Sequence, residues 1–226
     1  FEVGQCVLPS EKEELGLSQS TVLAGLICGS RTPSGWTASK EKVDFYDIKG
    51  DLESVLAHTN LSEEFTFEAC EHPALHPGQS AKILRKGAQI GWIGQLHPKA
   101  QTHMDISLPV YLFQVSSDKI SEVRLPKYED VSKFPEVKRD LAFLVDASVE
   151  ASSLVNCAKN AAGKHLVDLK LFDVYHGKDV ETKGKSIALG LTFQHSSRTL
   201  TDEEINKSIE KVVSQLNQVL GAELRS

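Results

Sequence analysis

The sequence has no apolar run approaching the roughly 20 residues that a membrane-spanning helix requires. Its first residues also lack the basic-then-apolar order of a secretory leader, so a cytoplasmic protein with no membrane partner is the default expectation. Cysteine is sparse: Cys6, Cys28, Cys70 and Cys157 are scattered, without a CxxC pair, each within an apolar stretch. They read as small core residues. A basic excess is missing too. The net charge is -6, with the deficit mostly in the first 120 residues and the remainder near neutral. Neither half is a basic surface for long duplexes, so any nucleic-acid contact must be local.

Catalytic signatures are equally absent. No nucleophile stands with a base, no glycine loop is placed to cradle phosphate, and no carboxylate dyad has a supporting context. Gly91-Trp92-Ile93-Gly94 lies inside a strand pattern, where glycine serves close packing. His72 and His76 have an i, i+4 spacing, but Pro73 and Pro77 follow them and argue against a helical metal pair. Asp44, Asp47, Asp51 and Glu53 surround a helix start, where acids complement the dipole more readily than they bind metal.

What is present is ordinary globular material: 226 residues, 40% hydrophobic and 25% charged, enough for one large or two ordinary domains. The run from Phe1 to Leu8 begins as a strand with no preceding turn or cap, which reads as a fragment entered inside a domain. A second strand is expected from Thr21 to Gly29. Ile48, Leu52, Val55 and Leu56 then share one face of a helix weakened by Gly50. Strands follow at 65–71, 80–85, 89–96 and 110–115, with turns at Leu75-His76-Pro77-Gly78 and Arg85-Lys86-Gly87-Ala88. Residues 1–120 thus form a mainly antiparallel α+β module, and residues 121–132 a polar linker.

Residues 133–226 form the second domain. A strand from Leu141 to Val145 leads to a helix near 150–162 that buries Leu154, Val155 and Ala158 and stops at Gly163. A hairpin follows. Thr201 and Glu204 then make a capping box, Ile205, Ile209, Val212, Leu216 and Val219 share a helix face ended by Gly221, and residues 222–225 form a last short strand. The order βαββαβ is the ferredoxin-like split βαβ pattern.

The hairpin from Leu171 to Gln194 organises this domain. Ile187, Leu189, Leu191 and Phe193 point one way, and Ser186, Ala188, Gly190, Thr192 and Gln194 the other. One face is core, and the other is small and polar, open to a ligand or to solvent. On the preceding strand Val167, Leu169 and Leu171 keep one alternation, and Phe172 and Val174 the opposite one. A bulge near Leu171-Phe172 reconciles them and turns Asp173 and Tyr175 onto the open face. A wholly buried central strand fits the same residues. The third strand does not offer the aromatics of an ordinary RNA-recognition motif.

Several spaced motifs in this order carry a resemblance. Phe134-Pro135, Arg139-Asp140-Leu141-Ala142, Leu171-Phe172-Asp173-Val174-Tyr175, Gly184-Lys185-Ser186 and Arg198-Thr199-Leu200-Thr201-Asp202-Glu203-Glu204 resemble the ferredoxin-fold anticodon-binding domain of bacterial phenylalanyl-tRNA synthetase β-subunits. Phe1-Glu2-Val3-Gly4, Asp44-Phe45-Tyr46-Asp47-Ile48-Lys49-Gly50, Leu75-His76-Pro77-Gly78 and Gly94-Gln95-Leu96-His97-Pro98 resemble the module that precedes it. That module is similar to a class II synthetase catalytic domain but inactive, and the glycine-rich, arginine-ended ATP motif is missing here.

The resemblance implies that this fragment needs no cofactor, while ATP and Mg²⁺ serve the α-subunit of an α2β2 enzyme. It implies that the open sheet reads the anticodon loop of phenylalanine tRNA, whose first anticodon base is guanine. Asp173 would accept from a guanine edge, with Ser186 and Arg225 completing the set. Lys133, Lys138, Arg139, Lys185 and Arg198 are candidate phosphate contacts, and Phe134 and Tyr175 candidates for stacking. The competing expectations are a turn-capping Asp173, an Arg139–Asp140 ion pair, and a regulatory or assembly module that binds a small ligand or a protein partner.

Overall fold

The computed structural model describes residues 1–11, 15–33, 35–36, 41–128, 130–176 and 184–225. The chain forms two compact units, Phe1–Lys127 and Tyr128–Ser226. Among the described residues no helix is long and apolar enough to cross a membrane.

The first unit is a six-stranded antiparallel sheet built from β1 (Glu2–Pro9), β2 (Leu17–Cys28), β3 (Phe65–Ala69), β4 (Leu75–Arg85), β5 (Ala88–Leu96) and β6 (Val110–Ser116), ordered β1-β2-β6-β5-β4-β3. Helix α1 (Phe45–Ala57) starts at a capping box in which Asp44 and Asp47 each accept from the other's backbone N–H. Asp47 also meets Arg31 at 2.8 Å, so these acids are engaged in capping and pairing. Ile48, Leu52 and Leu56 of α1 are buried against Ile83, Ile93, Phe113 and Val115. Val55 is 40% exposed, because it lies at the margin of a face centred on Leu52.

Four observations bear on the sequence reading. Leu75-His76-Pro77-Gly78 is no free turn but an irregular stretch inside β4, where five steps from Leu75 to Ser80 oppose two from Leu96 to Gly94. His72, His76 and His97 each accept a backbone N–H two residues on through Nδ1, which commits them to local turns. Cys28 is exposed and the other cysteines are half-buried, so none belongs to the core proper. Helices α2 (Pro98–His103) and α3 (Ser117–Ile120) were not expected.

The buried Arg85 guanidinium explains why the first unit runs past residue 120. It meets Glu64 at 2.9 Å and Glu122 at 2.7 Å and donates to the Lys119 carbonyl. Arg124 adds a backbone bond to Thr59 and a 2.7 Å pair with Glu63. The first residues of the expected linker are therefore tied down.

The second unit comprises β7 (Val137–Asp146), α4 (Ala151–Ala162), β8 (Leu166–Tyr175), β9 (Gly184–Phe193), α5 (Asp202–Leu220) and β10 (Glu223–Leu224). Its sheet is antiparallel with the order β10-β7-β9-β8, the ferredoxin fold. Gly163 (φ 79°) and Gly221 (φ 62°) end the two helices as expected. Leu154, Ala158, Ile205, Val212 and Leu216 cover Phe143, Ile187, Leu189, Leu191 and Phe193. Burial of each larger aliphatic stabilises by about 1.5–3 kcal/mol. Val219 is 57% exposed, past the end of that contact face.

The glycines of the first unit have opposite expected effects. A Cβ on Gly91 would meet the Gln114 carbonyl oxygen at 2.1 Å and Val115 Cα at 2.8 Å, whereas one on Gly50, within α1, meets nothing within 4 Å. Gly91→Ala should lower unfolding stability by at least about 1–3 kcal/mol, and Gly50→Ala should raise it by about 0.5–1 kcal/mol. Urea titrations of both variants check the pair.

Candidate nucleic-acid interface

Register places the site residues. On β9 the leucine face meets α4 and α5, leaving Ser186, Ala188, Gly190 and Thr192 on the side away from both helices. Ala142 of β7 pairs with Ala188, and Asp173 of β8 pairs with Ala188 from the other side. The Arg225 N–H donates to the Ala142 carbonyl at 2.8 Å, which continues the β10 register by one residue. One transverse row of the open face is therefore Arg225, Ala142, Ala188 and Asp173. The next row is Glu223, Leu144, Ser186 and Tyr175.

This arrangement depends on the expected bulge. Leu171 pairs with Leu189 and Asp173 with Ala188, so Phe172 is the extra residue. Beyond it Asp173 and Tyr175 occupy the open face, and Val174 returns to the register of Ile187. A second irregularity leaves Val167 unpaired between Leu166 and Asp168. The loop containing Gly177 that closes this hairpin lies outside the described residues.

Asp173 and Arg225 share a row but stand at opposite edges of the sheet, roughly 14 Å apart at about 4.8 Å per strand. Alanine side chains floor the gap between them. Asp173, Tyr175 and Arg225 have no side-chain partner among the described residues, and Ser186 is 5% exposed between Leu144 and Tyr175. A flat, polar-edged ligand would find a smooth apolar floor, a carboxylate at one end and a guanidinium at the other.

The remaining candidates divide by side. Lys138 is exposed on the open face in register with Thr192. Arg139 turns to the helix side, in register with Leu191, and meets Asp202 at 3.2 Å, so its partner is Asp202 and not Asp140. Lys185 is also on the helix side and donates to the Ala147 carbonyl at 3.0 Å. Arg198 grips Glu204 through both terminal guanidinium nitrogens at 2.7 and 2.6 Å. These three are removed from the open face by strand parity or by pairing. Phe134 is half-buried, its carbonyl held by Gln194 Nε2 at 2.8 Å, and Lys133 is exposed.

Phe172 was missed as a candidate. It is 58% exposed and lies over Gly190, with Asp140 beside it. The sequence signals were its alternation after Leu171 and the small Gly190 on the neighbouring strand.

Residues 1–117 match the family described as phenylalanyl tRNA synthetase beta chain CLM domain, and residues 132–225 match the ferredoxin-fold anticodon binding domain. The chain belongs to the phenylalanyl-tRNA synthetase beta-chain family. It is 46% identical over 210 residues to the phenylalanine-tRNA ligase beta subunit of Pseudomonas fluorescens, covering 93% of this chain and 26% of that protein. The corresponding subunit of Dickeya dadantii is 42% identical over 225 residues, covering 100% and 28%. That of Hahella chejuensis is 41% identical over 210 residues, covering 93% and 26%. The chain spans about a quarter of the length of these curated relatives.

One electrostatic feature of this family member lies at the start of α5. Arg198, and then the Thr201 backbone N–H, hold the Glu204 carboxyl down at about 2 from an ordinary 4.5. A depressed carboxyl stabilises the fold above its unfolded value and loses that contribution as pH falls toward the folded one. Glu204→Gln should therefore lower the thermal midpoint at pH 7, with the difference from wild type shrinking between about pH 4.5 and 2. Thermal melts of both proteins across that range provide the check.

Proposed function

We propose that this chain is the C-terminal portion of the beta subunit of a cytoplasmic phenylalanine-tRNA ligase, and that its second unit reads the anticodon loop of tRNA(Phe). The observation that carries the reading is the pair of adjacent open-face rows that hold Asp173, Tyr175, Ser186 and Arg225. A carboxylate is acceptor-only and suits the N1–H and N2–H donors of a guanine edge, where adenine offers no matching pair. Ser186 and Arg225 supply the complementary donors, and Tyr175 a ring for stacking.

In this reading phenylalanine, ATP and Mg²⁺ bind the α-subunit of an α2β2 assembly, which charges the tRNA. Among the described residues of this chain no group of three His, Cys, Asp or Glu side chains is placed to hold a metal ion. The first unit serves as a scaffold. Phosphate contacts fall to Lys138 and Lys133, which are exposed, rather than to Arg139, Lys185 and Arg198, which are engaged elsewhere.

The test is the aminoacylation rate of the intact ligase carrying Asp173→Ala, with guanine or adenine at the first anticodon position. Loss of the guanine preference by about 1–3 kcal/mol, roughly 5- to 150-fold, is expected for removal of a paired edge contact. Asp173 lies within β8 and not in a turn, so an unchanged preference with a normally folded variant would leave it an exposed strand residue and overturn the assignment.

A further inference from the structure

We propose that Phe172 and Asp140, on either side of Gly190, form a second base-binding position on the open face. This position would take the second anticodon base and select an amino-bearing base over uracil. The inference rests on the anticodon reading above and adds a position that reading does not use.

The geometry begins with the bulge. Phe172 follows the core-facing Leu171 and so shares the open-face parity of Lys170, and as the inserted residue between the Leu171–Leu189 and Asp173–Ala188 pairs it has no cross-strand partner of its own. Its ring crosses the open face toward Gly190 of β9. A Cβ placed on Gly190 would meet Phe172 Cδ1 at 3.6 Å, Phe172 Cε1 at 3.8 Å and Asp140 Oδ1 at 3.3 Å. The ring edge and the carboxylate thus converge above a residue with no side chain.

An aromatic ring often covers a strand glycine for packing alone. Packing accounts for the position of the ring. It does not account for Asp140, an exposed carboxylate that registers with the same glycine and has no side-chain partner among the described residues, since its neighbour Arg139 turns to Asp202. An exposed ring beside an acceptor-only group suits a nucleobase that stacks on the one and donates to the other.

The chemistry narrows the base. Adenine, cytosine and guanine present an exocyclic amine at the Watson-Crick edge, while uracil presents only a ring N–H between two carbonyls that a carboxylate repels. The Gly190 row lies one step along the strands from the Ala188 row, roughly 6.8 Å at about 3.4 Å per residue. That is the reach of one extended nucleotide. A loop whose first anticodon base is held at Asp173 therefore brings its second to Phe172, and the codons for phenylalanine make that base adenine.

The experiment measures kcat/KM of the intact ligase for tRNA(Phe) transcripts with adenine or uracil at the second anticodon position. The variants are Phe172→Ala, Phe172→Leu, Phe172→Tyr and Asp140→Asn, with Asp173→Ala alongside. Phe172→Ala and Phe172→Leu should each lower kcat/KM by about 5- to 150-fold, the equivalent of one stacked base, and Phe172→Tyr should restore it. Asp140→Asn should erase most of the preference for adenine while leaving the first-position preference intact. Because leucine covers Gly190 without offering a π-face, wild-type behaviour of Phe172→Leu would show packing only and overturn the proposal. An unaltered adenine preference in Asp140→Asn would do the same. If Asp173→Ala alone changes discrimination, the second position fails and the anticodon reading stands; if no variant changes it, both fail.

Discussion

The alternation along β9 is the constraint on which the second unit depends. Every second side chain from Ile187 to Phe193 is a large apolar group at or near full burial. These groups hold α4 and α5 to one side of the sheet. The intervening Ser186, Ala188, Gly190 and Thr192 are small, so the opposite side stays flat. A strand with large groups on both faces would have demanded a second layer, and one with polar groups on both would have had no core. Core and candidate interface are two readings of one stretch of chain, which means that the interface floor cannot move without moving the core.

On that floor the bulge at Phe172 changes which chemistry faces outward. Without the extra residue, β8 would continue the parity of Leu169 and Leu171, and Asp173 would meet the helix side. One inserted residue moves Asp173 and Tyr175 to the open side, where Phe172 lies across Gly190. The open-face placement of Asp173 and Tyr175 is thus produced by a single break in register. β10 contributes from the other edge by a different route, because Arg225 is carried into its row by the backbone bond to Ala142 although the strand itself spans only Glu223–Leu224.

Features that rest on local physics were legible in the sequence. The Thr201–Glu204 capping box, the stops at Gly163 and Gly221, the alternation of β9 and the close-packing role of Gly91 each depend on residues within one element or on the absence of a side chain. Features that rest on distant partners were not. The Arg139–Asp202 pair joins residues 63 apart in sequence, and Arg85 anchors Glu122 from 37 residues away. Strand parity alone would have excluded Arg139 and Lys185 from the open face, since both share the parity of buried neighbours. The same parity places Phe172 on the open face after the core-facing Leu171, whereas its contact with Gly190 depends on the bulge.

The charge of the open face bears on how it would work. Asp140, Asp168, Asp173 and Glu223 stand on it with Lys138, Lys170 and Arg225, and Lys170 is spent on Asp168 at 3.3 Å. Such a face does not attract a phosphate backbone by its field, and the whole chain carries -6. Carboxylates repel phosphate but are satisfied by the N–H groups of base edges, so in the proposed reading the same residues that weaken non-specific binding would sharpen discrimination between bases. A surface built this way gains little from capturing RNA unaided. It gains most when the strand is delivered by contacts made elsewhere and only the bases remain to be read.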